Sequence, residues 1–369
     1  MLSPADDFLV HQTFEPIRFV GSSDRRYYDR YFFTGHNSDE TMFFMLGMGC
    51  YPNLGVIDAF ASVSIGDAQV TTRGSRELGH DRMNTRSVGS FDVEVVEGLR
   101  RIRFKSESTD HPIRFNLLWE GAVPAFEEPP LFQRREGRMI EQGIRFIQTG
   151  TWTGYMEVDG SRCDLDGVSS MGARDHAWGV RSIGFEREPK GILQAKKLNE
   201  ARTPLWIWAP MQFDDYTIHY SLSEYASGER EICHVRKISS FDNGGTIEDL
   251  SDAEHDLIFD PVTRELQAGS KVSFTDSDGA KRTVTMYPMR RAYLRAGTGY
   301  GGPEPWRHGK YMGEHWEDSV RFDLNDQEVT GLIGPTHVLC RMEMDNGKVG
   351  YGTFETQVYG AFPRYGFTS

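Results

Sequence analysis

Ile57-Asp58-Ala59-Phe60-Ala61-Ser62-Val63-Ser64-Ile65 alternates with a period of two, the pattern of a strand whose successive side chains point to opposite faces. Phe91-Asp92-Val93-Glu94-Val95 and Arg101-Ile102-Arg103-Phe104-Lys105 repeat it. Helical periodicity is scarce. Between strand-like segments stand Asp159-Gly160, Asp278-Gly279 and Asn346-Gly347, dipeptides suited to the positive φ of tight hairpin turns. The 39 glycines fit the same picture. The chain is therefore expected to be all-β and almost entirely antiparallel, with at most one or two short helices.

A length of 369 residues is unusual for one barrel and comfortable for two barrels or sandwiches. The joint is expected in the charged stretch 186–203, which has few apolar residues after Leu193 and precedes the aromatic run Trp206-Ile207-Trp208-Ala209. This divides the chain into 1–188 and 189–369. No internal repeat or low-complexity tract is evident.

Composition excludes several classes. With 38% hydrophobic and 26% charged residues the chain reads as a soluble globular protein, and no apolar run approaches the ~20 residues of a membrane helix. Residues 1–10 carry Asp6 and Asp7 and lack a basic segment followed by an apolar one, so no signal peptide and a cytoplasmic location are expected. A net charge of -13 argues against nucleic acid as a partner, since phosphate binding needs clustered Lys and Arg. Cys50, Cys163, Cys233 and Cys340 form no CxxC pair and read as isolated buried thiols.

Familiar catalytic signatures are missing. There is no GxSxG elbow, no P-loop, no HExxH, and no GxGxxG between a strand and a helix. The eleven histidines are scattered, with no pair at i,i+2 or i,i+4, so no metal site is expected. His36 and His80 read as surface or loop residues.

One decapeptide stands out: Gly172-Ala173-Arg174-Asp175-His176-Ala177-Trp178-Gly179-Val180-Arg181. On a strand, Arg174, His176 and Trp178 share one face, while Asp175 and Ala177 share the other. An imidazole beside an indole suits a pocket that moves protons next to an apolar substrate. The bland alternative is an Arg174–Asp175 ion pair with Trp178 filling core. The Asp159-Gly160 hairpin would bring Gln148 and Trp152 alongside this strand.

Three other places could carry chemistry. Trp206 and Trp208 share a face, and Asp214-Asp215 is either a polar turn or a carboxylate pair placed to donate a proton among aromatics. In the run from Trp306 to Trp316, His308 either faces a cavity or caps a loop. Glu120 ends an apolar strand, where a carboxylate is expensive unless it is paired or at a cavity mouth.

The decapeptide closely resembles the G-x-R-D-H-x-W-G-x-R signature of the hydroxyneurosporene synthase (carotenoid 1,2-hydratase)-like group. That group is related to tocopherol cyclase and to lipocalin-like Diels–Alderases. Trp306-Arg307-His308-Gly309 and Tyr351-Gly352-Thr353-Phe354-Glu355 are similar in placement. The resemblance implies two lipocalin-like antiparallel barrels with a cofactor-free pocket between or within them. It also implies catalytic roles for His176 and Trp178. A downstream Tyr and Asp are implicated in the group; Tyr216, Asp214 and Asp215 are the nearest candidates, though their spacing does not match cleanly. Where the signature usually has Ser, this chain has Ala177, on the face away from His176.

The reading is a cofactor-independent hydratase, cyclase or isomerase acting at a C=C bond of an isoprenoid- or polyketide-like substrate. His176 and Trp178 carry the chemistry, with an acid from Asp214, Asp215 or Glu120 and a contribution from Tyr216. Trp152, Gln148, Trp206, Trp208 and His308 line the substrate, and Arg174, Asp175 and Arg181 are scaffold. No nucleic acid or membrane span is expected, and a homodimer is compatible. The alternative is a carrier that binds a lipid or terpenoid unchanged.

Overall fold

The alternating runs form strands that assemble into two all-β units. The computed structural model describes residues 11–83, 85–135, 137–181, 205–331 and 334–368. The expected boundary at 188/189 and the stretch 186–203 lie outside the described residues. In chain order the strands of the first half are β1 (Tyr27–His36), β2 (Met42–Tyr51), β3 (Val56–Ile65), β4 (Ala68–Glu77), β5 (Ser87–Val88) and β6 (Phe91–Glu97). They continue with β7 (Arg101–Ser106), β8 (Ile113–Gly121), β9 (Phe126–Glu127), β10 (Leu131–Arg135), β11 (Arg138–Val158) and β12 (Ser161–Val180). The second half holds β13 (Leu205–Gln212), β14 (Tyr216–Glu224), β15 (Arg230–Ser239), β16 (Ile247–Asp256) and β17 (Ser270–Thr275). It ends with β18 (Lys281–Tyr293), β19 (His315–Asp323), β20 (Thr336–Met344) and β21 (Val349–Val358).

The first unit is a curled 13-stranded sheet ordered β19-β4-β3-β2-β1-β12-β11-β8-β7-β6-β5, with β9 and β10 added to β11. The second closes into an eight-stranded barrel, β13-β14-β15-β16-β17-β18-β20-β21. This is a lipocalin-like all-β fold, with helix among the described residues limited to single turns. β19 comes from the second half of the chain yet pairs along β4 of the first sheet, His315 opposite Arg76 through Asp323 opposite Ala68. Among the described residues no helix is long and apolar enough to cross a membrane.

β3 shows how the units are joined. Ile57, Ala59, Ala61 and Val63 enter the core inside the first sheet. The intervening Asp58, Phe60, Ser62 and Ser64 are buried as well, because their face abuts the second unit. Polar alternation here marks a polar seam, with hydrogen bonds taking the place of solvent. Gln69 on β4 donates to Tyr293 O at 2.9 Å and accepts from Tyr293 N at 2.8 Å. Thr34 and Thr353 hydroxyls meet at 2.9 Å. Around them Phe32, Phe43, Met45 and Phe60 pack on Leu294, Trp306 and Leu339, each such burial stabilising by roughly 1.5–3 kcal/mol.

The Asp159-Gly160 turn joins β11 to β12 with φ of 52° and 79°, the two positive values that a two-residue hairpin needs. The two glycines of the decapeptide permit close backbone approach. A Cβ on Gly172 would lie 2.1 Å from Thr34 O, and one on Gly179, at φ 132°, would lie 2.1 Å from Gln142 O. Both are steric requirements of β12 lying between β1 and β11.

Candidate functional site

β12 is flanked by β1 and β11, and its register decides what surrounds the decapeptide. His176 lies opposite Tyr31 on one side and Phe146 on the other. Trp178 lies opposite Asp29 and Ile144, and Arg174 opposite Phe33 and Gln148. These residues share the inner face of the first sheet, as strand alternation requires. His176 Nε2 lies 2.7 Å from Asp29 Oδ1. Its ring is 4.5 Å from Tyr31, 5.3 Å from Phe146 and 5.5 Å from Trp178, centroid to centroid. The side chains of His176 and Asp29 are 21% and 39% exposed, so the pair is reachable from solvent. An ionised carboxylate only accepts, so Nε2 is the nitrogen that donates to it and Nδ1 is the nitrogen left to exchange a proton.

Arg174 sits deeper on the same face. Its Nε donates to Gln148 Oε1 at 2.9 Å, and its guanidinium lies 5.1 Å from the Phe146 ring centre. Burial pulls its pKa down to about 10. Asp175 points to the opposite face, so Arg174 and Asp175 do not pair. Burial raises the Asp175 carboxyl, against the pull of Arg145, Arg30 and Arg181 on that side.

The face bearing Asp175 meets the second unit at a dense polar network. Glu128 is ion-paired with Arg145 and lies 2.7 Å from His219 Nε2. Burial raises its carboxyl, but Arg145, His219 and His234 outweigh burial and hold it at about 2. Burial pushes His219 down and brings His234 to about 4. Trp208 stands between His219 and His337, 6.0 and 6.2 Å from their ring centres. Trp206 Nε1 donates to Glu355 Oε1 at 3.2 Å, and His337 Nε2 lies 3.2 Å from Glu355 Oε2.

Glu128, His219 and His234 also place one ligand atom each within 4.8 Å of one another. Sequence spacing had pointed to no metal site, since these residues come from strands far apart in the chain. The carboxylate is engaged by Arg145 and His219, while His219 Nδ1 and both ring nitrogens of His234 have no hydrogen-bond partner among the described residues.

Other expected site residues fall elsewhere. Asp214 and Asp215 are exposed in the β13–β14 turn, with Asp215 paired to Lys348 at 3.1 Å. Tyr216 points into the second barrel, where its hydroxyl lies 3.5 Å from Met344 Sδ. Glu120 is exposed at the end of β8 and pairs with Arg100 at 3.3 Å. The structure therefore does not bring these four to His176, because the 214–216 hairpin belongs to the other barrel and Glu120 points outward. Trp152 is fully buried in the first core and donates to Thr34 O at 3.0 Å. Gln148 donates to Leu99 O and Val123 O at 2.8 and 2.7 Å, pinning two loops.

His308 is fully buried at the seam, 3.6 Å from Asp58 Oδ1, and Arg181 lies over Tyr28 and Tyr300 at 5.3 and 5.6 Å. His36, expected at the surface, is 3% exposed and donates from Nδ1 to Asn37 O at 2.9 Å. The cysteines are free, but of the four expected to be buried only Cys340 is; Cys50 and Cys163 are half-buried and Cys233 is exposed.

The residue that sequence reasoning missed on the inner face is Asp29. Its signal lay in Tyr27-Tyr28-Asp29-Arg30-Tyr31-Phe32-Phe33, where two adjacent charges interrupt an aromatic strand and must occupy opposite faces.

Fold and site together define a two-unit, lipocalin-like β protein with a partly exposed His–Asp pair on an aromatic wall. The chain belongs to a family of unknown function, DUF8625, whose profile matches residues 2–368. No curated protein sequence matches it. Among solved structures it is similar to a protein of Nitrosomonas europaea described as an AttH. That match has a TM-score of 0.53 and 10% identity, covering 90% of this chain and 92% of the other. It is also similar to CghA in complex with Sch210972, with a TM-score of 0.52 and 9% identity over 90% and 89% of the two chains. Kievitone hydratase of Nectria haematococca aligns with a TM-score of 0.43 and 12% identity over 94% of each chain. At these identities the first two likenesses establish a shared fold.

Proposed function

We propose that this protein is a hydratase- or cyclase-type enzyme that transfers a proton at a C=C bond of an apolar, isoprenoid- or polyketide-like small molecule. The carrying observation is the 2.7 Å contact between His176 and Asp29, set among Tyr31, Phe146 and Trp178. Asp29 fixes the tautomer and the ring orientation of His176. The imidazole then takes or delivers a proton at Nδ1, the kind of positioned acid–base group credited with about 10²–10⁴-fold in rate. Trp178 offers an indole face to a developing cation, a stabilisation of roughly 0.5–2 kcal/mol that grows as water is excluded. This chemistry uses side chains alone. The CghA complex supports the reading by analogy, since a similar fold there holds a small molecule. The narrower resemblance of the decapeptide to the carotenoid hydratase signature points to the same reaction type.

The test is incubation of the purified full chain with an organic extract of apolar metabolites, followed by chromatography and mass spectrometry. An enzyme of this type yields a product shifted by one water or an isomer of altered retention. Release of every bound compound unchanged would make the protein a carrier and overturn the reading.

A further inference from the structure

The seam holds a buried cation that no anion hydrogen-bonds among the described residues. Arg30 leaves β1 on the face opposite His176 and is 3% exposed. Among the described residues none hydrogen-bonds its Nε or either terminal nitrogen. The guanidinium lies instead 4.7 Å from the ring centre of Tyr300, 5.7 Å from Phe60 and 5.9 Å from Phe32. Aromatic faces attract the charge but leave its in-plane N–H donors unused. A buried charge is retained at such cost only where something pairs with it.

Asp175, on β12, acts on Arg30 without hydrogen-bonding it, and Asp58, on β3, does not fill that role either. One of its oxygens accepts the Gly309 N–H at 2.7 Å, and the other lies 3.6 Å from His308 Nδ1. Burial holds its carboxyl up at about 7, despite that N–H and the nearby Arg30. At neutral pH it is only partly ionised. His308 adds to the surplus of donors. Both its ring nitrogens are buried and unpartnered among the described residues. Its ring is walled by Tyr300 at 5.0 Å, Trp306 at 5.1 Å and Phe60 at 5.9 Å. Gly299, at φ 88°, makes the fit possible, since a Cβ there would lie 2.8 Å from His308 Cε1. The second guanidinium at this place, Arg181, also lies over Tyr300.

We infer that Arg30, His308 and Arg181 form a pocket between the two units for a carboxylate-type oxyanion. The planar fork of an arginine matches the two oxygens of a carboxylate, and the imidazole supplies a further donor. The rings of Phe60, Tyr300 and Trp306 suit an apolar group attached to that head. The pocket lies across the sheet from His176, and the inference does not depend on the proposed reaction there.

Thermal unfolding and titration calorimetry of the full chain test this with sodium acetate, sodium decanoate and decanol. Decanoate is expected to bind saturably and raise the unfolding midpoint, while decanol at equal concentration does not. Arg30→Met is expected to weaken decanoate binding at least about 10-fold, as loss of a charge-assisted bidentate contact implies. Arg30→Lys should retain part of it. If acetate also binds with the same dependence on Arg30, the pocket takes free oxyanions. Binding of decanoate without acetate marks an amphipathic ligand. If Arg30→Met does not fold, Arg30→Lys and the decanoate–decanol pair on the unaltered protein decide. The inference is overturned if neither anion binds, if decanol matches decanoate, or if the folded Arg30 variants bind decanoate as tightly as the parent.

Discussion

His176 and Asp29 meet diagonally across the β1–β12 ladder: Asp29 lies opposite Trp178, His176 lies opposite Tyr31, and the imidazole leans back to the carboxylate at 2.7 Å. Diagonal neighbours on one face of an antiparallel pair are within reach of long side chains. The lean sets His176 on the carboxylate of the residue opposite Trp178, so one residue on β1 orients the proton-handling group, whose ring lies 5.5 Å from the indole.

Asp29→Asn keeps the size of the side chain and removes its charge, so the imidazole loses the partner that sets its tautomer. Turnover is expected to fall by about 10²–10⁴. Stability should change by less than about 1 kcal/mol, because the pair is partly solvated and such pairs contribute little. Steady-state kinetics and a thermal melt on the same preparation check both halves.

Trp152→Phe separates core from site. Trp152 is fully buried and packs on Trp119 and Phe33 at 5.1 and 5.4 Å. The variant retains an aromatic ring but loses the N–H bond to Thr34 O, leaving a buried carbonyl short of a donor. A loss of about 1–3 kcal/mol in chemical denaturation is expected, with KM unchanged. A large rise in KM would return Trp152 to the substrate wall.

Glu128→Gln removes the anion that is ion-paired with buried Arg145 and leaves only the longer-range Asp175 and Glu355, a change expected to cost about 3–5 kcal/mol by urea denaturation. The sign with pH follows from the depressed carboxyl, about 2 in the folded chain against a usual 4.5. The contribution of Glu128 is fully present above pH 4.5 and is lost as pH falls toward 2.

Asp58 behaves in the opposite sense. Its folded carboxyl titrates at about 7 against a usual 3.8, so between those values the folded chain holds a proton that the unfolded chain has released. Stability from this group therefore declines as pH rises from about 4 to 7, by on the order of 4 kcal/mol. Asp58→Asn should remove that slope. Urea denaturation at pH 5, 6 and 8, parent against variant, measures it, and parallel curves would show that Asp58 is not buried as described.

The all-β fold was legible because alternation and turn chemistry are local. Asp159-Gly160 sits in the turn between β11 and β12, and the decapeptide turns Arg174, His176 and Trp178 to one face. What stayed hidden depends on register between distant strands. Asp29 is 147 positions from His176, and no spacing rule links them. β3 was legible as a strand but not as one buried on both faces, since Ser62 and Ser64 read as solvent-facing until a second unit covers them. The polar clusters at 120 and 214–216 drew attention by composition, yet exposed turns and strand ends carry the same residues. Glu128 gave the weakest signal, one of two adjacent acids before Pro129-Pro130 that becomes meaningful only when β14 and β15 bring His219 and His234 against it.

The central claim is proton transfer at carbon by His176, and deuterium incorporation tests it most directly. The purified protein is incubated in D2O with the compound that it converts, and the product is analysed by mass spectrometry after back-exchange in H2O. One deuterium retained on carbon, formed by the parent chain and reduced at least about 100-fold in a folded His176→Ala variant, is the predicted result. Equal incorporation by His176→Ala, or product formed by the parent with no carbon-bound deuterium, would contradict it.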